Sequence, residues 1–100
     1  MAMTGGLGEI VDANEEIQKI VDTVLDSVNE RTGNKYSKLT AVKFGFQVVA
    51  GTNYFVKVRT DDGSYLHLRI FLALPHTGKG PELISLQEDK TEDDNVAYFE

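Results

Sequence analysis

The sequence predicts a small α+β domain, in which a single N-terminal helix packs across a four- to five-stranded antiparallel sheet. Two patterns support this prediction: apolar residues recur at helical spacing early in the chain, and apolar and polar residues alternate in the runs that follow. The chain has 100 residues, of which 41% are hydrophobic, so one domain with one core is expected. Within that domain we predict a flexible arm over 1–13, the helix over 14–32 and the sheet over 39–99.

The N-terminal arm is predicted from its glycine content. Gly5, Gly6 and Gly8 fall close together, and their backbone freedom makes this stretch too flexible to start a helix or a strand. Two interpretations stay open for it. The glycines are either part of a disordered leader, or they let the backbone lie close against a partner.

The helix is predicted from one apolar stripe. Its members follow the spacing i, i+3, i+4, i+7, i+8 and i+11, and they are Ile17, Ile20, Val21, Val24, Leu25 and Val28. Asn14 is suited to cap the first turn, and Gly33 is suited to end the helix. Many of the stripe residues are β-branched, so packing against the sheet must hold the helix.

Alternating residues predict the strands. The first run extends from about Leu39 to Val48, the second is Tyr54–Thr60, the third is Tyr65–Leu72 and an irregular fourth is Glu82–Asp89. Asp61–Ser64 has the composition of a tight turn between two strands. Short connections between consecutive strands predict an antiparallel meander.

The connection between the first two strands has an unusual composition for a turn. Hairpin tips are normally rich in Gly, Asn and Asp, but here Val48 and Val49 stand side by side before Gly51. One interpretation is that both valines belong to the strand and that the turn is Gly51–Asn53. The other is an apolar finger that inserts into the cleft of a partner.

The connection after the third strand has a similar character. Leu74-Pro75-His76 is either a wide loop whose leucine ends the core, or a stiff apolar tip in which proline lowers the entropy lost on binding. In a meander the first and third connections lie at the same end of the sheet. Two unusual tips side by side favour a binding surface.

Composition and motifs argue against nucleic acid binding and against catalysis. The net charge is −6, and the basic residues of the middle are spread out rather than clustered, which is typical of a basic sheet balanced by an acidic helix and tail. Lys43–Val48 partly resembles an RNA-binding strand, but it lacks the glycine expected directly after the basic residue. Phe44 and Phe46 are also predicted to be core, so they would not be free to stack on bases. The only imidazoles are His67 and His76, and no catalytic or metal-binding motif is present. We therefore predict no catalytic residue, no metal and no cofactor.

The absence of cysteine excludes disulfides and thiolate sites. Met1–Asp12 has no signal-peptide pattern, and the longest apolar run, Ile70–Leu74, is far too short to span a membrane. A cytoplasmic protein without a membrane partner is the simplest prediction.

Several of these segments resemble one family. Gln47–Gly51 reads Q-V-V-A-G, the signature of the cystatin superfamily, and its extension Thr52–Phe55 is similar to the stefins, the intracellular type-1 cystatins. Tyr65–Phe71 and Leu74–His76 also resemble stefin segments, and the resemblance extends from about Gly5 to Phe99. The lack of cysteine fits stefins better than the secreted cystatins.

The resemblance implies a reversible, tight-binding inhibitor of papain-like cysteine proteases of the cathepsin type. In the family, the N-terminal arm and two hairpin loops form a wedge that enters the active-site cleft. By motif match the protease-binding residues are Gly5, Gln47, Val48, Val49, Ala50, Gly51, Leu74, Pro75 and His76.

One departure and two alternatives accompany the resemblance. Thr4 stands where related stefins often have proline, and it is less apolar than the residues that the corresponding protease subsites prefer. The alternative function is a non-inhibitory interaction module that binds through an open sheet edge. A monomer is expected, with exchange of the first hairpin as a possible route to a domain-swapped dimer.

Overall fold

The computed structural model describes residues 7–100. In chain order the elements are β1 (Val11–Asp12), α1 (Glu15–Thr23), α2 (Leu25–Thr32), β2 (Leu39–Val49), β3 (Gly51–Thr60), β4 (Tyr65–Leu72), a 3₁₀ turn (Pro75–Thr77) and β5 (Glu82–Lys90). The five strands form one antiparallel sheet in the order β1-β2-β3-β4-β5. The predicted α+β class and the upper strand number are thus confirmed.

The helical segment differs from the single predicted helix because it is divided at Val24. The Val24 N–H bonds to the carbonyl of Val21 at 3.1 Å, one residue nearer than in an α-helix. The preceding Thr23 donates its hydroxyl to the carbonyl of Lys19 at 2.9 Å, a side-chain bond that bends helices. The predicted ends hold, since Asn14 accepts a hydrogen bond from the Ile17 N–H and Gly33 ends α2 at a φ of 74°.

The core lies between the helical segment and one face of the sheet. The predicted stripe stays on one side through both helices, and its buried members are Ile17, Ile20, Val21, Val24 and Val28. They pack against inward-facing strand residues, among them Phe44, Val56, Val58, Leu66, Leu68, Ile70 and Leu83. Within the described part of the chain, neither helix is long and apolar enough to cross a membrane.

The N-terminal segment is paired at its inner end, which corrects the arm predicted over 1–13. Val11 pairs with Phe44 and Asp12 pairs with Lys43, and the Asp12 carboxylate lies 2.8 Å from the Lys43 ammonium. A strand of two residues is too short to produce an alternating pattern, so the sequence did not indicate it.

The C-terminal segment lies against the sheet face opposite the helices, so the range predicted for the sheet, 39–99, is too long. The Phe55 ring is fully buried, and the rings of Tyr98 and Phe99 lie 5.4 and 5.6 Å from it. The Arg69 guanidinium lies 5.4 Å from the Tyr98 ring centroid and donates to the carbonyl of Phe99. Packing and a cation–π contact therefore fasten a segment that is not a strand.

Two titratable side chains are buried beneath this segment. Lys57 donates from its ammonium to the carbonyl of Glu92. His67 is only 2% exposed, and its Nε2 has no hydrogen-bond partner among the described residues. Burial, followed by the positive charges of Lys90 and Lys57, lowers the pKa of His67 to about 4, against a smaller opposing effect of Asp94.

We expect this histidine to make the fold less stable in mild acid. Between its ordinary pKa of 6.5 and its folded pKa of about 4, the unfolded chain binds a proton at His67 that the folded chain does not. The free energy of unfolding therefore falls as the pH falls, by about 2 kcal/mol between about pH 7.5 and about pH 5. Urea unfolding at the two pH values measures this loss.

The variant His67→Gln should lose most of this pH dependence, while His76→Gln, a change at the other and exposed imidazole, should keep it. Equal stability of the wild type at both pH values would contradict the expectation. So would an undiminished slope in His67→Gln.

Candidate functional site

The hairpin between β2 and β3 is tighter than the sequence indicates. Cross-strand pairing continues to Val49 and Gly51, so Ala50 alone forms the turn. Val48 and Val49 belong to the strand and are nevertheless 72% and 48% exposed. The valines are therefore strand residues, as the first interpretation predicted, but the turn that it placed at Gly51–Asn53 lies at Ala50 instead. The exposed valines form an apolar tip, and its insertion into the cleft of a partner stays a prediction.

The tip depends on glycine at position 51. Gly51 has a φ of 126°, in the region where side chains are rarely tolerated, and a Cβ atom there would lie 2.6 Å from the Phe71 ring and 2.7 Å from the carbonyl oxygen of Leu72. Only glycine can adopt this φ without strain and also avoid these two clashes, because it has no Cβ atom. The backbone of the tip therefore passes directly over the end of β4.

Gln47 supports the hairpin from below. It pairs across the strands with Asn53, and the amide of Asn53 donates to the Gln47 side-chain oxygen at 3.2 Å. Asn53 is only 6% exposed, so this bond satisfies a polar group that would otherwise be buried without a partner. Gln47 thus has a structural role in addition to the binding role predicted for it.

The second connection also presents an apolar residue to solvent. Leu74 is 42% exposed, so it does not end the core. Pro75 opens a 3₁₀ turn that Thr77 closes with two bonds to the Leu74 carbonyl, from its N–H at 3.0 Å and its hydroxyl at 2.8 Å. His76 is exposed within this turn. The hydrogen bonds of the turn and the fixed φ of proline together restrict the backbone of this segment.

The two connections lie at the same end of the sheet. The register of β3 and β4 pairs Thr52 with Leu72, so Gly51 lies beside the start of the second connection. We call Gln47–Gly51 together with Leu74–His76 the tip surface. The opposite end of the same strands carries the Asp61–Ser64 turn, which is fully polar.

The N-terminal segment leads toward the tip surface. Gly5, the predicted binding residue of the arm, lies outside the described residues. Leu7 and Ile10 lie over Gly45, where a Cβ atom would come within 2.5 Å of the Ile10 side chain. Because β1 is antiparallel to β2, the chain traced back toward Leu7 runs in the direction of Val49.

The chemistry of the tip surface is that of a contact surface. Its members are apolar apart from Gln47 and His76. Within residues 7–100, no three His, Cys, Asp or Glu side chains come together in a way that could hold a metal ion. The surface offers exposed apolar area on a stiff backbone, which is suited to burial against another protein.

The comparison with known proteins agrees with this geometry. A family model described as "Cystatin domain" matches residues 5–93, a range that contains both connections of the tip surface. The chain belongs to the cystatin family. This cystatin is thus a member of the family that the motif in Gln47–Gly51 indicated.

The relatives of this cystatin are similar over nearly their whole length. Cystatin-A of Homo sapiens is 46% identical over 95 residues, which cover 95% of this chain and 97% of that protein. Stefin-C of Bos taurus is 42% identical over 95 residues, covering 95% and 94%. Leukocyte cysteine proteinase inhibitor 1 of Sus scrofa is 42% identical over 97 residues, covering 97% and 94%. The predicted similarity to stefins is confirmed.

The structure also shows residues near the tip surface whose environment sequence reasoning missed. Phe46 was predicted to be core with Phe44, but it is 47% exposed. Alternation along β2 places both rings on one face of the sheet, yet the helical layer ends before it covers Phe46. Gly45 carried a signal, since glycine within a strand often marks a close approach of another segment.

Proposed function

We propose that this cystatin inhibits papain-like cysteine proteases reversibly and tightly by inserting the tip surface into the active-site cleft. The observation that carries the proposal is the exposure of three large apolar side chains, Val48, Val49 and Leu74, at one end of the sheet. A stiff surface of this kind loses little conformational entropy when it binds. The name of the porcine relative, a cysteine proteinase inhibitor, supports the same class of partner.

The proposed mode of inhibition is occlusion. Val48, Val49 and Leu74 supply apolar area, which is favourable to bury at about 25 cal/mol per Å². Ala50 and Gly51 have little or no side chain, so the backbone can approach the protease closely. This cystatin is an inhibitor and not an enzyme: the tip surface blocks the catalytic cysteine of the protease without undergoing reaction itself.

The N-terminal arm is proposed as the third contact. The antiparallel pairing of β1 with β2 leads the chain toward the tip surface. A contact at Gly5, as predicted, would place an extended backbone in the cleft. Thr4 is less apolar than the proline common in related stefins, so we propose a smaller contribution from the arm than from the hairpins.

Cathepsin-type proteases, a monomeric state and a cytoplasmic location complete the proposal. The location rests on the cysteine-free composition and on the similarity to stefins. Exchange of the β2–β3 hairpin is the proposed route to any dimer, since a turn of one residue under backbone constraint favours an open hinge.

The alternative of an edge-binding module finds less support. On the outer strand β5, the carbonyls of Leu83 and Ile84 accept hydrogen bonds from the Arg31 guanidinium at 2.8 and 2.7 Å. Part of the backbone that an added strand would use is therefore already occupied.

Titration of papain with the recombinant protein tests the proposed function. Active-site-titrated papain is mixed with increasing amounts of the protein, and residual hydrolysis of a fluorogenic peptide is measured. We expect activity to fall linearly and to vanish near a one-to-one ratio. Full papain activity at a large excess of the protein would contradict the proposal.

A further inference from the structure

A groove lies beside the tip surface on the helical side of the sheet. Its volume is about 240 Å³. Glu16 and Ile17 of α1 form one wall, and Phe44, Phe46 and Tyr54 of the sheet form the other. The proposed function uses none of these residues.

The sheet wall of the groove is a continuous aromatic surface. The three ring centroids are separated by 6.3 to 6.4 Å, and the rings of Phe44 and Phe46 are stacked with an interplanar angle of 24°. Phe46 is 47% exposed, so its ring is accessible from solvent. Aromatic ring faces carry negative electrostatic potential and attract cations.

The helix wall adds a full negative charge. Glu16 lies in the first turn of α1, at the end of the helix dipole where a negative side chain is favourably placed. The ion pairs among the described residues are Asp22 with Lys38 and Asp12 with Lys43, so Glu16 is not neutralised by a neighbour there. Both Glu16 and Tyr54 line the groove, and burial and, after it, the Glu16 carboxylate raise the pKa of Tyr54.

The groove is continuous with the tip surface. Phe46 and Val48 are two positions apart on β2 and therefore point to the same face of the sheet. Thr52 pairs with Val48 and also lines the groove. A protein that covers Val48 thus comes to lie over the mouth of the groove.

We propose that this groove is a subsite for one cationic side chain, preferably an arginine, on the rim of the bound protease cleft. A planar guanidinium stacks on Phe46 and Tyr54 while it pairs with the Glu16 carboxylate. This inference rests on the proposed function, because the protease brings the arginine to the groove. It gives the inhibitor a means of discriminating between proteases that differ at this rim position.

Titration with a small probe tests the chemistry of the groove without any protease. Nα-acetyl-arginine amide is added to the full chain, and the ring-proton NMR signals of Phe46 and Tyr54 are followed. Nα-acetyl-citrulline amide, which has nearly the same shape and no charge, is the matched control. We expect saturable shifts with the arginine probe only, and their loss in Glu16→Gln and in Phe46→Leu. Equal shifts with both probes, or none with either, would overturn the proposal.

Inhibition constants test whether a protease uses the groove. Glu16→Gln is compared with Glu15→Gln, a change at the adjacent exposed carboxylate that does not line the groove, against a panel of papain-like proteases. We expect Glu16→Gln to weaken inhibition about three- to tenfold, and more at low salt, for proteases with a basic rim residue. Glu15→Gln should stay near the wild type.

The two proposals fail in different ways. If wild type and Glu16→Gln inhibit every protease equally well, the subsite is overturned and the inhibitory function stands. If the wild type inhibits none of them, the proposed function is overturned, and the arginine titration still decides whether the groove binds a cation.

Discussion

Val49→Asp should abolish tight inhibition while leaving the domain folded. In the free protein the side chain at position 49 is about half exposed, so an aspartate there remains hydrated. In the proposed complex it would be buried in the protease cleft without a partner. An unpaired buried charge costs roughly 3 kcal/mol or more, which corresponds to a hundredfold or greater loss of affinity. The inhibition constant against papain measures the effect.

Thr40→Asp provides the matched control for this change. Thr40 is an exposed residue of the same strand, but it pairs with Arg59 near the opposite end of the sheet. It should inhibit like the wild type, and both variants should unfold at urea concentrations close to that of the wild type. An unchanged inhibition constant for Val49→Asp would show that the hairpin tip lies outside the cleft.

Gly51→Ala should be the most destabilising single methyl addition in the hairpin. The new Cβ would meet the carbonyl oxygen of Leu72 at 2.7 Å and the Phe71 ring at 2.6 Å, at a φ of 126° that disfavours any side chain. Backbone strain and overpacking each cost about 1–3 kcal/mol, so we expect a loss of about 3 kcal/mol in the free energy of unfolding. Urea denaturation measures it.

The same substitution should also weaken inhibition, because relief of the clash moves the tip away from β4. Gly63→Ala separates the cost of backbone strain at a positive φ from the cost of a steric clash. Gly63 has a φ of 85°, but no atom lies within 4 Å of the position its Cβ would take, so we expect a loss of about 1 kcal/mol and normal inhibition. Equal stability losses in the two variants would mean that the contact with β4 is not tight.

The parts of the fold that the sequence predicted well are those with long periodic patterns. The apolar stripe from Ile17 to Val28 and the alternation through β3 and β4 each repeat several times, and each repeat adds to the signal. The helix was still predicted as continuous, since the interruption at Val24 depends on local hydrogen bonding that leaves the apolar spacing intact.

The parts that the sequence could not predict depend on contacts between distant segments. The pairing of Val11 with Phe44 involves too few residues to show a period. The burial of His67 and Lys57 follows from a C-terminal segment whose path no local pattern indicates. Both side chains lie on the sheet face that the alternating pattern predicted to be exposed to solvent.

The candidate site shows the same division. The sequence indicated the two segments of the tip surface, Gln47–Gly51 and Leu74–His76. The predicted meander also indicated that both segments lie at the same end of the sheet. The exposure of Phe46 was not predictable, because it depends on where the helical layer ends above the sheet. The aromatic groove therefore emerged only from the structure.

In the proposed complex, the tip surface is the part of this cystatin that a cysteine protease covers. Hydrogen–deuterium exchange of the protein, free and bound to papain, tests it directly. We expect backbone amides in Gln47–Gly51 and around His76 to exchange more slowly in the complex, with no change at Asp61–Ser64. Unchanged exchange at the tip surface, with protection along β5 instead, would contradict the claim and indicate binding through the sheet edge.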